Sequence, residues 1–246
     1  MSASKTADCQ VIMSPIESNL QHIRAQMNAA IAALPSSLQK PVSLVAVSKT
    51  KPAAQIRDAF VAGQRDFGEN YVQEAVPKIE ALGDLQSHGI VWHFIGPLQS
   101  NKLKLVATHF DWVHGIDRLK MAATLSRHRS DLQTKPNPLN VCVQVNVSGE
   151  ASKSGVAPDE ALTLATEVAL LPGLKLRGLM TIIENTGEET AQRAQFHKMR
   201  TLFDSMRSNA IAVDTLSMGM SQDFTIAIAE GATMVRIGSA IFGARE

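Results

Sequence analysis

Two lysines, Lys49 and Lys51, follow an apolar segment in the sequence LVAVSKTKP, residues 44–52. Side chains alternate between the two faces of a strand, so Lys49 shares a face with Val45 and Val47 if this segment is a strand. A lysine amine at the end of a buried strand loses hydration. This lowers its pKa and leaves a neutral amine that can attack aldehydes. The alternative is that both lysines are solvated loop residues, with Lys51 just before the next helix.

Glycine and hydroxyl residues gather near the C-terminus, in LSMGMSQDF (216–224) and GATMVRIGSAIFGAR (231–245). They let backbone N–H groups approach an anion, and a short helix starting near Ser239 would point its positive end at the same place. The alternative is that the glycines serve only tight turns and close packing. A reactive lysine with an anion cradle predicts a phosphorylated aldehyde as ligand. Pyridoxal phosphate (PLP) fits, as does a sugar phosphate in an aldolase-like enzyme.

The rest of the chain alternates short β-rich segments with helical ones. The predicted strands are 43–49, 65–69, 91–96, 112–116, 140–147, 175–182, 214–218 and 233–237. The predicted helices include 15–34 at the N-terminus, 53–62, 71–82, 117–132, 158–170 and 188–208. Near-continuous apolar strands separated by helices indicate a parallel sheet, and eight such units favour a closed (β/α)₈ TIM barrel. An open doubly wound sheet is the alternative, weakened by the lack of a GxGxxG motif. We expect a single α/β domain, 1–246, with residues 1–14 flexible.

Active sites of such barrels lie at the carboxyl ends of the strands, where Lys49 stands, and phosphate sites recur after strands seven and eight. His93 and His114 lie on adjacent predicted strands. We expect no metal site there, because the two histidines have no carboxylate partner. Lys153, in the loop GEASKSGV, is either a solvated loop residue or a second, weaker site for an aldehyde or an anion.

Composition argues against several classes of function. The chain has 246 residues, 45% of them hydrophobic, and its formal net charge of +1 gives no electrostatic basis for binding nucleic acid or an anionic membrane. No apolar run approaches the ~20 residues needed to cross a bilayer, and no signal peptide is evident. Cys9 and Cys142 lie far apart without metal-type spacing, which predicts a reducing, cytoplasmic setting.

Seven segments resemble the YggS/PROSC family of pyridoxal phosphate homeostasis proteins. They are VAVSKTKP, FGENYVQE, WHFIGPLQSNK, KSG, RGLMTI, LSMGMSQDF and GATMVRIGSAIFGAR, and the resemblance runs from about residue 15 to the C-terminus. It implies the barrel of the alanine racemase N-terminal domain, here with an extra N-terminal helix, and PLP as the cofactor. It implies no established catalysis, since family members are thought to hold, buffer or pass on PLP.

Carried over residue by residue, the resemblance implies that Lys49 holds PLP as a Schiff base and that Arg236 faces the pyridine nitrogen. The phosphate would be held by residues that follow the last two strands: Ser217, Gly238 and Ser239, with Ser221 as a weaker candidate. Further residues in matching motifs are expected around the pocket without assigned roles: Asn70, Met218 and His93.

Arg236 bears on whether the protein is an enzyme. An arginine cannot accept a proton, so it keeps the pyridine nitrogen unprotonated and the ring a poor electron sink. Alanine racemase also uses a tyrosine as second base, whereas the single tyrosine here, Tyr71, falls early in a helix. We therefore expect a monomeric, non-enzymatic carrier acting in intracellular PLP homeostasis (storage, buffering or delivery), which meets PLP-dependent apoenzymes transiently. The alternative is a PLP-dependent amino-acid racemase or lyase.

Overall fold

The computed structural model describes residues 13–132, 135, 137–150, 153–184 and 187–244. The strands are β1 (Ser43–Val47), β2 (Asp66–Glu69), β3 (Val91–Phe94), β4 (Trp112–Ile116), β5 (Leu139–Gln144), β6 (Leu174–Met180), β7 (Thr215–Ser217) and β8 (Met234–Ile237). The helices are α1 (Pro15–Ala32), α2 (Ala53–Val61), α3 (Val72–Ala81), α4 (Leu103–His109), α5 (Leu119–Ser130), α6 (Ala161–Ala169), α7 (Glu189–Ser208), α8 (Phe224–Ala229) and α9 (Ser239–Phe242). Short 3₁₀ turns occupy Ser36–Leu38, Gly83–His88 and Ser100–Lys102.

The strands form one closed parallel barrel in chain order. Each strand pairs with the next, and β8 returns to β1, where Val45 lies opposite Arg236. The predicted (β/α)₈ barrel is confirmed, with strand ends that differ by a few residues, and the doubly wound alternative is wrong. Cys9 and most of the N-terminal segment expected to be flexible, residues 1–12, lie outside the described residues.

The extra N-terminal helix is confirmed, and it packs against the last helix of the chain. Leu20, Ile23 and Met27 of α1 form a buried stripe at helical spacing. Beside this stripe, Asn19 Nδ2 donates to the carbonyl oxygen of Ile241 at 2.9 Å. Because Ile241 belongs to α9, the N-terminal helix holds in place a segment at the carboxyl end of the barrel.

Two helices, α4 and α8, are not predicted by the sequence. They have seven and six residues, about two turns, which is too short for a periodic apolar pattern to stand out. No helix in the described ranges is long and apolar enough to span a membrane.

Apolar side chains form two layers in the barrel. The larger layer lies between strands and helices and includes Phe67, Ile56 and Leu125, all fully buried. A smaller cluster fills part of the barrel interior: Val45, Trp112, Cys142, Met180 and Met234. Polar side chains also lie inside the barrel, among them His93 and His114, which are both fully buried.

Gly178 allows β6 to approach β7 closely. The register between β5 and β6 shifts after Val141, so that Cys142 lies opposite Gly178, whose φ is +150°. A Cβ at Gly178 would lie 1.9 Å from the carbonyl oxygen of Thr215. Only glycine therefore fits this position without moving β7.

Candidate cofactor-binding site

A cavity of about 210 Å³ opens at the carboxyl ends of the strands. Three cationic residues, Lys49, Lys51 and Arg236, line it, and no carboxylate does so among the described residues. The cavity therefore favours an anionic ligand. It brings together six of the residues expected at the site: Lys49, Asn70, Ser221, Arg236, Gly238 and Ser239.

A strained turn carries Lys49 to this cavity. The backbone N–H of Ser48 donates to Gly68 at 2.9 Å, which continues the β1–β2 ladder up to the residue before Lys49. Thr50 then has φ +65°, a left-handed conformation that is unusual for a β-branched residue. Its N–H donates to Glu74 Oε1 at 2.5 Å. The turn leaves Lys49 half-buried in the cavity lining rather than in a solvated loop.

A buried cluster of three charged side chains, Glu69, Glu74 and Lys78, contacts the turn. Lys78 Nζ lies 2.9 Å from the Ser48 carbonyl, 2.9 Å from Glu69 Oε1 and 2.5 Å from Glu74 Oε1. Glu69 is fully buried, and this burial raises the pKa of its carboxyl, although Lys78 and Ser48 act in the opposite direction. Sequence reasoning missed this cluster. The Glu74–Lys78 spacing of four residues in a helix was its one visible signal.

Arg236 projects from β8 into the floor of the cavity. It is almost fully buried, Nη1 donates to Ser217 Oγ at 2.7 Å, and Nη2 donates to the Thr181 carbonyl at 2.9 Å. Burial lowers the pKa of Arg236 to about 10, so the guanidinium remains charged at neutral pH. These two bonds use two of its five N–H donors and fix the plane of the group.

The structure does not bring Ser217 and Met218 into the cavity lining, in contrast to the expectation that Ser217 holds a phosphate. Both side chains are fully buried. The hydroxyl of Ser217 lies between Arg236 Nη1 and His114 Nδ1, at 2.7 and 3.0 Å. Ser217 thus lies behind Arg236 and supports the guanidinium, so the hydroxyls that reach the cavity are those of Ser221 and Ser239.

His93 also lies inside the barrel and does not line the cavity. The expectation that it has no carboxylate partner is wrong, because His93 Nε2 lies 2.9 Å from Asp66 Oδ1. No group of three or more His, Cys, Asp or Glu side chains suited to a metal ion occurs in the part of the chain that the structure describes.

Gly238 and Ser239, the residues expected to cradle an anion, both line the cavity just after β8. A Cβ at Gly238 would lie 3.2 Å from the Val47 carbonyl, so β8 and β1 meet closely there. Ser239 begins α9, and its hydroxyl lies 3.5 Å from that of Ser221. Because α9 is a single turn of four residues, its macrodipole is small, and the local N–H and O–H donors matter more.

Asn70 lines the cavity and two neighbouring recesses. Its Oδ1 is buried and has no hydrogen-bond partner among the described residues. A buried acceptor of this kind is unfavourable unless a ligand or a water molecule donates to it. An amine at Lys49, an anion cradle at Ser239, a charged donor at Arg236 and an acceptor at Asn70 together fit a phosphorylated aromatic aldehyde such as PLP.

Lys153 and Tyr71 lie beside the cavity but not in its lining. Lys153 pairs with Glu150 and borders a separate recess that shares Asn70 with the cavity. Tyr71 is 54% exposed and borders another small recess near the start of α3.

Comparison with known proteins identifies the family. Residues 17–246 match the family model described as alanine racemase, N-terminal domain. The pyridoxal phosphate homeostasis protein of Pseudomonas aeruginosa is 53% identical over 234 residues, which cover 95% of this chain and 97% of the relative. The chain belongs to the pyridoxal phosphate homeostasis protein family.

Solved structures agree with this membership. PipY from Synechococcus elongatus, solved with PLP bound, is 36% identical with a TM-score of 0.78, covering 93% of this chain and 100% of PipY. Alanine racemase from Corynebacterium glutamicum is 16% identical with a TM-score of 0.65, covering 94% of this chain and 61% of the racemase, and this likeness shows the fold alone. The name of the Pseudomonas relative denotes a homeostasis protein rather than an enzyme.

Proposed function

We propose that the chain binds PLP as a Schiff base on Lys49 and serves in PLP homeostasis, by storage, buffering or delivery of the cofactor. The observation that carries this proposal is the cavity that joins Lys49 to Arg236 and to the Gly238–Ser239 cradle. Its cationic lining suits the phosphate, and the family relationship makes PLP the first ligand to test.

Besides Lys49, five lining residues would hold PLP. The backbone and hydroxyl donors of Gly238, Ser239 and Ser221 would take the phosphate, and Arg236 would donate to the pyridine nitrogen. Asn70 Oδ1 would accept from a protonated group at the imine or at the ring hydroxyl. Ser217 and Met218 lie behind the cavity lining, where Ser217 orients Arg236 by accepting a hydrogen bond from Nη1.

When bound, PLP would supply an aldehyde, and the Lys49 amine would hold its carbon covalently, with loss of one water. Hydrolysis returns both partners unchanged, so the site holds PLP reversibly. The cavity opens to solvent beside the partly exposed side chains of Ile182 and Met220, which leaves a route for water and for release.

The lining argues against a racemase or a lyase. Such chemistry needs a positioned acid or base besides Lys49. Among the described lining residues the other amine is that of Lys51, which donates to the Ala244 carbonyl at 2.8 Å. Arg236 keeps its proton at neutral pH, because its pKa is about 10, so it cannot accept a hydrogen bond from a protonated ring nitrogen.

Delivery would take place in the cytoplasm, from a monomer that meets PLP-dependent apoenzymes transiently. The near-neutral net charge of +1 supports brief encounters, because it gives no strong electrostatic attraction to a particular partner. An exposed mouth also suits transfer, since PLP could leave without unfolding of the barrel.

Borohydride reduction followed by peptide mapping tests the assignment. The protein is mixed with PLP, its visible spectrum is recorded, and the reduced adduct is located by fragmentation spectra that separate Lys49 from Lys51. We expect the adduct on Lys49, its loss in Lys49→Ala with an unchanged circular dichroism spectrum, and its retention in the control Lys51→Ala. An adduct retained in Lys49→Ala, for example on Lys153, would overturn the proposal.

A second measurement separates the carrier from an enzyme. The PLP-loaded protein is incubated with L- and D-amino acids in deuterated water, and exchange at Cα is followed by NMR. We expect no exchange above that of free PLP. Exchange that depends on Lys49 would establish the racemase or lyase alternative.

A further inference from the structure

A continuous line of polar side chains crosses the barrel interior from its amino end to the cavity. It comprises Asp66, His93, His114, Ser217 and Arg236, and we call it the interior chain. Asp66 Oδ1 lies 2.9 Å from His93 Nε2, and His93 Nδ1 lies 2.9 Å from His114 Nε2. His114 Nδ1 lies 3.0 Å from Ser217 Oγ, which accepts from Arg236 Nη1 at 2.7 Å.

The donor direction along the interior chain follows from its two ends. The carboxylate of Asp66 only accepts, so His93 Nε2 carries a proton. A neutral His93 then accepts at Nδ1 from His114 Nε2–H, and a neutral His114 accepts at Nδ1 from the Ser217 hydroxyl. Arg236 only donates, and it meets a lone pair that remains on Ser217 Oγ. With this one direction of hydrogen-bond donation, every donor and acceptor that the interior chain uses has a partner.

The opposite direction is unfavourable. It would need a positively charged His93 and would make Ser217 Oγ the acceptor for both His114 and Arg236. The hydroxyl proton of Ser217 would then have no acceptor within the interior chain. His114 is neutral in either direction, because its burial holds its pKa well below the ordinary value. His93 stacks on Trp112 with ring centroids 5.3 Å apart, which fixes its plane.

We propose that Asp66 is a positioning residue for Arg236. By accepting from His93, Asp66 sets the tautomers of both histidines and so presents the oxygen of Ser217 to the guanidinium. The inference rests on the proposed function, in which Arg236 donates to the PLP ring. It extends the binding machinery to a residue at the amino end of the barrel, where the Asp66 side chain is 33% exposed and borders a recess with Arg24 and Arg65.

The tautomers of the unaltered protein give the first test, without added PLP. Nitrogen-15 NMR of the imidazole rings separates protonated from unprotonated ring nitrogens. We expect both His93 and His114 to be neutral and protonated at Nε2. A charged His93, or a proton at Nδ1 of either ring, would overturn the proposal before any variant is made.

Three variants then test the consequence for PLP. Asp66→Ala removes the acceptor, whereas Asp66→Asn keeps a carbonyl oxygen in its place. The control is Asp111→Ala, because the Asp111 side chain is also 33% exposed at the same end of the barrel, but it accepts from the Trp92 backbone N–H and pairs with Lys135. Circular dichroism and thermal unfolding show that each variant is folded before tautomers and PLP affinity are measured.

We expect Asp66→Ala to mix the tautomers of His93 and His114 and to weaken PLP binding roughly five- to tenfold, the effect of one poorly made hydrogen bond. Asp66→Asn should restore both, and Asp111→Ala should change neither. Altered tautomers with unchanged PLP affinity would overturn the positioning role, as would equal losses in Asp66→Ala and Asp111→Ala. Failure of the unaltered protein to form the Lys49 adduct would instead refute the proposed function. The tautomers of His93 and His114 could still be measured, because that experiment needs no PLP.

Discussion

Replacing Thr50 by glycine should stabilise the protein, although it removes a side chain. Thr50 has φ +65°, and its side chain is exposed, so it contributes little packing. A left-handed backbone costs an L-residue roughly 1–2 kcal/mol. Glycine avoids that strain but loses about 0.5–1 kcal/mol more backbone entropy on folding. The difference predicts a gain of about 0.5–1 kcal/mol in the free energy of unfolding.

Urea unfolding measures this gain, and Ala210→Gly provides the matched control. Ala210 has φ +59° just after α7 and does not line the cavity, so its strain should be relieved to a similar extent without a change at the site. Both variants should move the urea midpoint upward by roughly a few tenths molar with an unchanged m-value.

The two variants should differ in PLP affinity. A glycine at position 50 loosens the turn that carries Lys49, and fixing one residue again on binding costs about 1 kcal/mol. We therefore expect roughly fivefold weaker PLP binding in Thr50→Gly and no change in Ala210→Gly. If Thr50→Gly destabilises the protein while Ala210→Gly stabilises it, the turn is not strained and the reasoning is refuted. Equal PLP affinity in both would show that the turn does not order Lys49.

Three further predictions concern buried groups. Lys78→Met should lower the free energy of unfolding by about 3–5 kcal/mol in urea, because it leaves the Glu69 carboxylate buried without its cation; a loss under 1 kcal/mol would contradict this. Gly178→Ala should lower it by more than about 2 kcal/mol, because the new Cβ would meet the Thr215 carbonyl at 1.9 Å; wild-type stability would show that β7 yields easily. Cys142 should resist iodoacetamide at pH 8 in the folded protein, because burial raises the pKa of its thiol to about 12. Mass mapping of its peptide in folded and unfolded protein checks this, and labelling at equal rates would refute it.

The barrel and the cavity lining are the parts that the sequence predicts well. Apolar runs mark most of the strands, although β2 (DFGE) and β7 (TLS) are short and partly polar. Polar residues that follow such runs must meet at one end of a parallel barrel. This rule placed Lys49, Asn70 and Arg236 in one cavity. The expectation that Ser217 holds the phosphate came from the family resemblance, and the strand rule could not decide on which side of Arg236 the last residue of β7 would lie.

Contacts across the barrel interior could not be read from the sequence. Period-2 alternation indicates that a residue points inward, but it does not say which inward residue of another strand it meets. His114 and Ser217 are 103 residues apart in the chain and come from β4 and β7, which are not neighbours in the barrel. Asp66 meets His93 only because β2 and β3 pair with the register that places Gly68 opposite His93.

Several unfavourable features of the structure gather where β1 and β2 end. The strained Thr50, the buried carboxylate of Glu69 and the orphaned acceptor of Asn70 lie within reach of the Lys49 turn. Each opposes folding, and a sequence selected only for stability would avoid them. Their grouping beside one amine is better explained by binding, because a ligand that donates to Asn70 and fixes the Lys49 turn would offset part of this cost. The same preference for function over stability accounts for an interior filled partly by Asp66, two histidines and Ser217, where apolar side chains would pack without any need for aligned donors.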